Sequence, residues 1–469
     1  MKILYIFLLL VLLATFGSAL NMVRKAFQGL TPILGWMVGL GYFVLAPLTV
    51  LTLNGGFKFP AEYAVSESWS NLDLSRPQYL GPYVAVWLCL MLTFAVAYFW
   101  CPALRSRRSV NFTVSRRRLE RVLLITMALS LADWILLIWL VGGISEILVS
   151  HWYTRQEPLI ERFGSVFILY MRSSLVNQIL FTAAAALHAS VGLKDRDTRW
   201  RFTSLILLFF LLQIVMTGNR IFFATYLLTV LTGCWMYERK KILVMLLTAS
   251  PLIVLIFSVW GWVRADLSAI PESAEKYVIQ ANLGNRVVTS TMDVTEGGAV
   301  MLLLRITNDF GSQYAYLKGS TYSRLLTFFQ LRNVHPERTQ DFATIVADHY
   351  EPGANTSLGS TALGEAFANF GLIGIFVPPL LTWFALRYTR WLERASERRA
   401  LLSAVSFVML IWFARSPFAE NAMTLIGAIL LIWLLKLERG LCLANSAVRA
   451  PGWNLVPPNA WQTNEGMAR

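Results

Sequence analysis

Residues 81–101, GPYVAVWLCLMLTFAVAYFWC, and residues 105–121, RSRRSVNFTVSRRRLER, contain the pattern that decides the fold. The first segment is apolar over about the 20 residues that an α-helix needs to cross the hydrocarbon of a bilayer. The second segment contains seven arginines, and clustered positive charge holds a loop on the cytoplasmic side of a membrane. Together they predict a membrane-spanning helix that ends in the cytoplasm.

The composition of the whole chain agrees with this interpretation. Of the 469 residues, 56% are hydrophobic and only 14% are charged, which is typical of a polytopic membrane protein and not of a soluble one. The net charge of +14 does not indicate a nucleic-acid partner, because the basic residues form short clusters between apolar segments instead of one patch. The four cysteines and the glycines show no metal, disulfide or nucleotide-binding spacing, so we expect no metal and no cofactor.

The same alternation of apolar segments and basic links predicts an all-α fold, a polytopic bundle of about eleven transmembrane helices. Residues 3–20 also resemble a secretory signal peptide. We interpret them as an uncleaved first helix, because Arg24 and Lys25 then begin a consistent alternation of sides. The predicted spans are residues 3–20, 29–53, 81–101, 122–143, 165–191, 203–217, 221–237, 242–263, 364–386, 401–419 and 421–437.

These spans divide the chain into four parts. Residues 1–263 contain the first eight transmembrane helices, residues 264–362 form one large loop on the outer side, residues 363–437 contain the last three helices, and residues 438–469 are a cytoplasmic tail. Within the large loop, residues 298–316 and 321–331 show helical periodicity, whereas residues 351–361 are rich in turn-forming residues. We expect any chemistry to take place beneath this loop.

A few charged residues lie within or at the ends of the predicted spans, where charge is costly and indicates function. Five of them are expected to converge beneath the large loop, and outward-facing arginines suit a diphosphate because a guanidinium makes bidentate contacts with phosphate oxygens. The alternative for each is a structural ion pair, with Arg415 and Glu420 as the obvious partners, and either role is open for Asp133, which has no evident partner. The full set is Asp133, Arg172, Arg220, Arg264, Glu365, Arg415 and Glu420, of which the convergent five are Arg220, Arg264, Glu365, Arg415 and Glu420.

Several loop residues are candidate proton acceptors, because a general base must be a group that can take up a proton from the acceptor hydroxyl. The alternative for each is an ordinary solvated loop residue. The candidates are His335, His349, Asp309, Asp348 and Glu365.

Four stretches together resemble the Wzy-type polymerases, which join lipid-linked oligosaccharide repeat units into O-antigen or exopolysaccharide. TGNR at residues 217–220 opens an apolar helix, and LKGSTY at residues 317–322 precedes LRNVHPER at residues 331–338. TALGEAFANFGLIG at residues 361–374 is similar to the family's re-entry helix, and Ala414-Arg415 is similar to an arginine of its penultimate span. The stretches cover roughly residues 160–430.

The resemblance implies metal-independent, inverting-type glycosyl transfer at the periplasmic face of a bacterial inner membrane, with the growing chain on undecaprenyl diphosphate as donor and a lipid-linked unit as acceptor. It implies that Arg220, Arg264 and Arg415 bind the diphosphate and that Glu365 or His349 takes the acceptor proton. Further substrate-binding residues on this interpretation are Arg172, Arg305, Tyr322, Arg332 and Arg338. The implied partners are undecaprenyl-diphosphate-linked oligosaccharides, the lipid bilayer, a chain-length regulator and a flippase. An O-antigen ligase is the nearest alternative, and a non-catalytic flippase or exporter is an alternative of another class.

Overall fold

The computed structural model describes residues 1–27, 29–58, 71–103, 116–144, 159, 162–195, 200–217, 221–237, 292, 297–327, 340–352, 358–394, 400–415 and 417–437. In chain order the helices are α1 (Lys2–Ala26), α2 (Pro32–Leu40), α3 (Ala46–Asn54), α4 (Leu80–Ala103), α5 (Arg116–Val141), α6 (Ser165–Asp195), α7 (Trp200–Thr217), α8 (Ile221–Tyr237), α9 (Gly298–Asp309), α10 (Ser320–Thr327), α11 (Phe342–Tyr350), α12 (Ala362–Phe370), α13 (Val377–Arg394), α14 (Ala400–Phe413) and α15 (Phe418–Leu434). A π-helical turn at Gly41–Leu45 joins α2 to α3.

Within the described residues, six helical segments are long and apolar enough to cross a membrane: Lys2–Ala26, Pro32–Asn54, Pro77–Cys101, Arg116–Val141, Tyr170–Val191 and Ala362–Glu393. Four shorter apolar helices lie at Phe202–Ile214, Phe222–Thr232, Ala400–Phe413 and Phe418–Leu434. Each of these ten segments coincides with a predicted span, which confirms a helical membrane protein. The eleventh predicted span, residues 242–263, lies outside the described residues, so the count of eleven stays a prediction.

Helix α2 lies between α13 and α14 with very close backbone contact. A methyl group at Gly35 or Gly39 would collide with the α14 backbone, and small residues four positions apart let two helices approach in this way. Hydrogen bonds fix the other side of α2, since Trp36 Nε1 donates to Thr382 Oγ1 at 2.7 Å and Ile33 N donates to Thr389 Oγ1 at 3.1 Å. The N-terminal helices are therefore packed into the same bundle as the C-terminal ones.

The span predicted at residues 364–386 is divided at Gly371. This glycine has φ 58° and ψ −139°, a conformation that strongly favours glycine, and the 3₁₀ helix Gly371–Phe376 follows it. Helix α12 before the break is buried from Ala362 to Asn369, whereas Leu372 and Ile373 after it are 68% and 72% exposed. The polar and charged residues of α12 are thus enclosed by protein, whereas the exposed apolar surface of the 3₁₀ helix and α13 is suited to contact with lipid.

The large loop contains three short helices among its described residues, α9, α10 and α11. The predicted helix over residues 298–316 is too long, because the chain becomes extended at Phe310 and Gly311 follows with φ 88°. Helix α10 begins at Ser320 as predicted to within one residue, and residues 328–331 lie outside the described part. Helix α11 was not predicted; it begins after Asp341, whose carboxylate accepts a hydrogen bond from Thr344 N at 2.8 Å.

A short antiparallel hairpin in the loop between α3 and α4 was also not predicted. It pairs β1 (Gly56–Lys58) with β2 (Asn71–Asp73) and leads through the 3₁₀ turn Pro77–Tyr79 into α4. Arg305 of α9 contacts this hairpin, so the hairpin and the large loop meet at the same end of the bundle.

Candidate functional site

The loop before α10 is docked on the C-terminal end of α12. The last carbonyls of a helix have no partner within it. Here Leu317 N donates to Ala368 O at 2.9 Å and Lys318 N donates to Asn369 O at 3.0 Å. Lys318 has φ 51° and Gly319 has φ 85°, and these positive values turn the chain directly from the contact into α10.

The side chain of Asn369 joins three segments at this point. Its Oδ1 accepts from Gly319 N at 3.0 Å, and its Nδ2 donates to Thr321 Oγ1 at 2.8 Å and to Glu365 O at 2.7 Å. Asn369 is almost completely buried. We call this contact between residues 317–321 and 368–369 the Asn369 junction; it connects two of the stretches that carry the family resemblance.

The N-terminal end of α12 contacts Ala414-Arg415, another of the stretches that carry the family resemblance. Thr361 Oγ1 accepts from Gly364 N at 3.2 Å and caps the helix, and Ala362 N donates to Ala414 O at 3.1 Å. The guanidinium of Arg415 lies along Gly359, where a Cβ atom would be 3.4 Å from Nη2 of Arg415. Helix α12 therefore holds Arg415 at one end and α10 at the other.

Glu365 lies between these two ends, fully buried. Its Oε2 accepts from Phe418 N, the first residue of α15, at 2.8 Å, and a carboxylate stabilises a helix N-terminus. The ring of Tyr322 covers this region and packs against Phe370 and Phe418 at centroid distances of 5.7 and 5.1 Å. The pKa of Tyr322 is raised well above its usual value, mainly because the hydroxyl is buried and also because Glu365 is negatively charged. This geometry favours a positioning role for Glu365 over proton transfer.

A chain of charged residues connects the loop helices to the membrane helices. Glu420 Oε1 lies 3.3 Å from Arg172 Nη2 and 2.8 Å from Arg324 Nη2, and Arg324 Nη1 lies 3.5 Å from Asp341 Oδ2. Arg172 belongs to α6, Glu420 to α15 and Arg324 to α10. Three structural units thus meet at one carboxylate.

Arg324 is a site residue that the sequence interpretation missed. Its side chain is only 10% exposed, although a charged residue in a polar loop helix is ordinarily solvated. The available signal was its position two residues after Tyr322. Only the packing of α10 against α15 shows that Arg324 is buried.

Two expectations about the partners of charged residues need correction. The alternative role proposed for Arg415 made Glu420 its partner, but the described ion pairs of Glu420 are with Arg172 and Arg324. Asp133 has partners on α6: its side chain interacts with Ser174, and its carbonyl accepts from Tyr170 at 2.6 Å. The choice of partner depends on which helix faces are in contact.

The described contacts of His349 and Arg305 are with residues outside the charged network around Glu420. The ring of His349 stacks on Tyr314 at 4.3 Å, and burial lowers the pKa of this histidine, while the nearby charge of Asp348 acts in the opposite direction. Arg305 Nη2 donates to Asn71 O at 2.8 Å.

The other candidates fall into two groups. Asp309 is buried and accepts from the Tyr350 hydroxyl at 2.9 Å, which makes it part of the loop's own core. Asp348 lies on α11 and is exposed. The remaining candidates, Arg220, Arg264, Arg332, His335 and Arg338, lie outside the described residues.

The family model described as O-antigen polysaccharide polymerase Wzy matches residues 168–438, which is more than half of the chain. The chain belongs to this family. The Wzy match begins shortly before Arg172, includes both sides of the Asn369 junction and ends after α15, so every charged residue of the network described above lies within it. No curated protein and no solved structure is significantly similar to the chain. As a Wzy family member, the chain is a membrane protein of polysaccharide biosynthesis with polymerase activity on O-antigen repeat units.

Proposed function

We propose that the chain polymerises undecaprenyl-diphosphate-linked oligosaccharide repeat units at the periplasmic face of the inner membrane, by metal-independent glycosyl transfer. The observation that carries this proposal is that Arg172 and Arg324, from two separate segments, meet at Glu420 in the first turn of α15, while Arg415 lies against Gly359 just before α12.

The chemistry of the leaving group explains why arginines are needed. Negative charge develops on the diphosphate as the glycosidic bond breaks, and cations fixed in advance at that position lower the barrier most effectively. A guanidinium stays charged at any physiological pH and matches two phosphate oxygens at once. Arg220 and Arg264 are proposed to bind the diphosphate together with Arg415. Three further arginines are proposed to bind the phosphate or the sugar: Arg305, Arg332 and Arg338.

His349 is the proposed proton acceptor for the incoming sugar hydroxyl. Burial lowers the pKa of His349, so at neutral pH its imidazole is uncharged, which is the form that accepts a proton. Tyr322 is proposed to contact the substrate from α10. A chain-length regulator and a flippase are proposed as partners that deliver the substrate and set the product length.

The test is the length distribution of surface and lipid-linked glycan in a deletion strain complemented with the wild type, Arg415→Ala or Arg415→Lys. We expect long chains with the wild type and single repeat units on their normal final acceptor with Arg415→Ala. Arg415→Lys retains the charge but loses the bidentate geometry, so we expect shortened chains. Arg76→Ala is the matched control, because Arg76 is 62% exposed in a loose pair with Asp73 at 3.9 Å, and it should leave long chains.

Two other results would contradict the proposal. Long chains that accumulate on undecaprenyl diphosphate in the deletion strain would identify a ligase. Glycan that stays intact on the cytoplasmic face would identify a flippase or exporter.

A further inference from the structure

We propose that Glu420 acts as an exchangeable counterion: its carboxylate holds Arg172 and Arg324 between turnovers and gives up both to a diphosphate oxygen when the lipid-linked substrate binds. Arg324 is thereby a further diphosphate-binding residue. This inference deepens the proposed function and rests on it.

The geometry of the contact resembles that of a bound phosphate. A single oxygen, Oε1 of Glu420, lies within 3.3 Å of one guanidinium nitrogen and 2.8 Å of another. The two guanidinium groups come from a membrane helix and from a loop helix. Carboxylate and phosphate oxygens satisfy the same donor geometry of arginine, so an anion that bridges Arg172 and Arg324 in this way marks a position that a phosphate oxygen can take.

Arg324 also has hydrogen-bonding capacity beyond its two carboxylates. A guanidinium has five N–H donors in a fixed plane. Nη2 contacts Glu420 and Nη1 contacts Asp341, whereas Nε is buried and no atom of the described residues accepts its hydrogen. A buried donor of this kind is costly in a folded protein, and a ligand that satisfies it is favoured accordingly.

The charges of the network lead to a prediction with a definite sign. Arg172 and Arg324 are balanced by Glu420 and Asp341, so a diphosphate must compete with two carboxylates for the same guanidinium groups. If Glu420 only positioned the arginines, its neutralisation would weaken diphosphate binding. If Glu420 is the counterion that is exchanged, its neutralisation strengthens binding.

The experiment measures the binding of undecaprenyl diphosphate to the purified full-length chain in lipid nanodiscs. We expect Glu420→Gln to bind about tenfold more tightly than the wild type, a change of roughly 1.4 kcal/mol, and Arg324→Ala to bind about tenfold more weakly. Asp341→Asn is the second variant, because asparagine caps a helix as well as aspartate does, and it should tighten binding by a smaller factor. Loss of Arg324 should cost less in the Glu420→Gln background than in the wild type, since the Glu420 carboxylate, which would otherwise be left with one arginine fewer and repel the ligand, is then absent.

Glu120→Gln is the matched control. Glu120 also pairs with an arginine, Arg116, at 3.5 Å, but it lies beside His188, about 24 Å along α6 from Arg172 at 1.5 Å per residue. The Glu120→Gln variant should bind undecaprenyl diphosphate as tightly as the wild type does.

The outcomes separate the two proposals. Unchanged or weaker binding in both Glu420→Gln and Asp341→Asn, with normal wild-type binding, would overturn the counterion exchange and leave the polymerase proposal intact. If Glu420→Gln fails to fold, the sign of the change in Asp341→Asn decides the question. If the wild type binds no undecaprenyl diphosphate, the proposed substrate itself is wrong.

Discussion

Replacement of Asn369 by alanine should weaken the contact between α10 and α12. The side chain of Asn369 makes three hydrogen bonds in a buried position, to Gly319 N, Thr321 Oγ1 and Glu365 O. Two of these partners belong to the segment that begins α10. Because α10 carries Tyr322 and Arg324, easier opening of α10 takes both residues out of the site more often without altering either one.

The size of the effect follows from the groups left without partners. A buried donor or acceptor that loses its partner costs about 1–3 kcal/mol. Asn369→Ala leaves the Gly319 N–H and the Thr321 hydroxyl without this partner. We therefore expect the free energy of local opening of α10 to fall by about 3 kcal/mol, which raises the open population roughly a hundredfold. Thr321→Val removes only one of the three bonds and should change the opening by about 1 kcal/mol.

Hydrogen–deuterium exchange of peptides from α10 measures this opening directly, because amides of a locally opening helix exchange in proportion to the open population. We expect faster exchange over residues 320–327 in Asn369→Ala, a smaller increase in Thr321→Val, and no change in α1. Glycan chains should shorten in the same order. Equal exchange of α10 in Asn369→Ala and the wild type would refute the role assigned to the junction.

Three further predictions concern other parts of the structure. Gly371→Ala should lower the temperature of thermal unfolding, because φ 58° costs about 1–3 kcal/mol and the new methyl group meets the ring of Tyr316; Gly17→Ala, with open space around it, is the control that should not. Gly39→Leu should abolish folding, measured as monodisperse protein after extraction, since α2 cannot then lie against α14. Burial lowers the pKa of His349 from its ordinary 6.5, so the unfolded chain takes up the proton first and stability falls as the pH drops through 6.5; in His349→Gln the unfolding temperature should change less between about pH 7 and about pH 5.

The sequence was sufficient for the membrane helices because their signal is one-dimensional. Length, apolar content and flanking arginines identify a span without any knowledge of its neighbours. The same argument fails at residues 364–386, where the hydropathy is continuous but the helix is broken. The break depends on the φ angle of Gly371 and on the Tyr316 ring beside it, and hydropathy contains neither quantity.

The site was predicted only in part, for a related reason. The three stretches that dock on one another, around Gly319, Asn369 and Arg415, were identified from their residues, but not their contacts. Arg324 was missed because its charge lies in a segment without a membrane-spanning pattern. A sequence shows that an arginine is present, whereas its burial and its partner are properties of the packed helices.

The N-terminal helices lie before the Wzy match, yet they determine the geometry of the residues within it. Trp36 and Ile33 bind threonines that lie two turns apart on α13, and Gly35 and Gly39 bring α2 against the backbone of α14. Helix α13 continues from the break that ends α12, and α14 ends just before Arg415. The positions of both ends of α12 therefore depend on a helix outside the matched region. The family-specific residues supply the charges, and the preceding helices hold the segments that carry those charges in place.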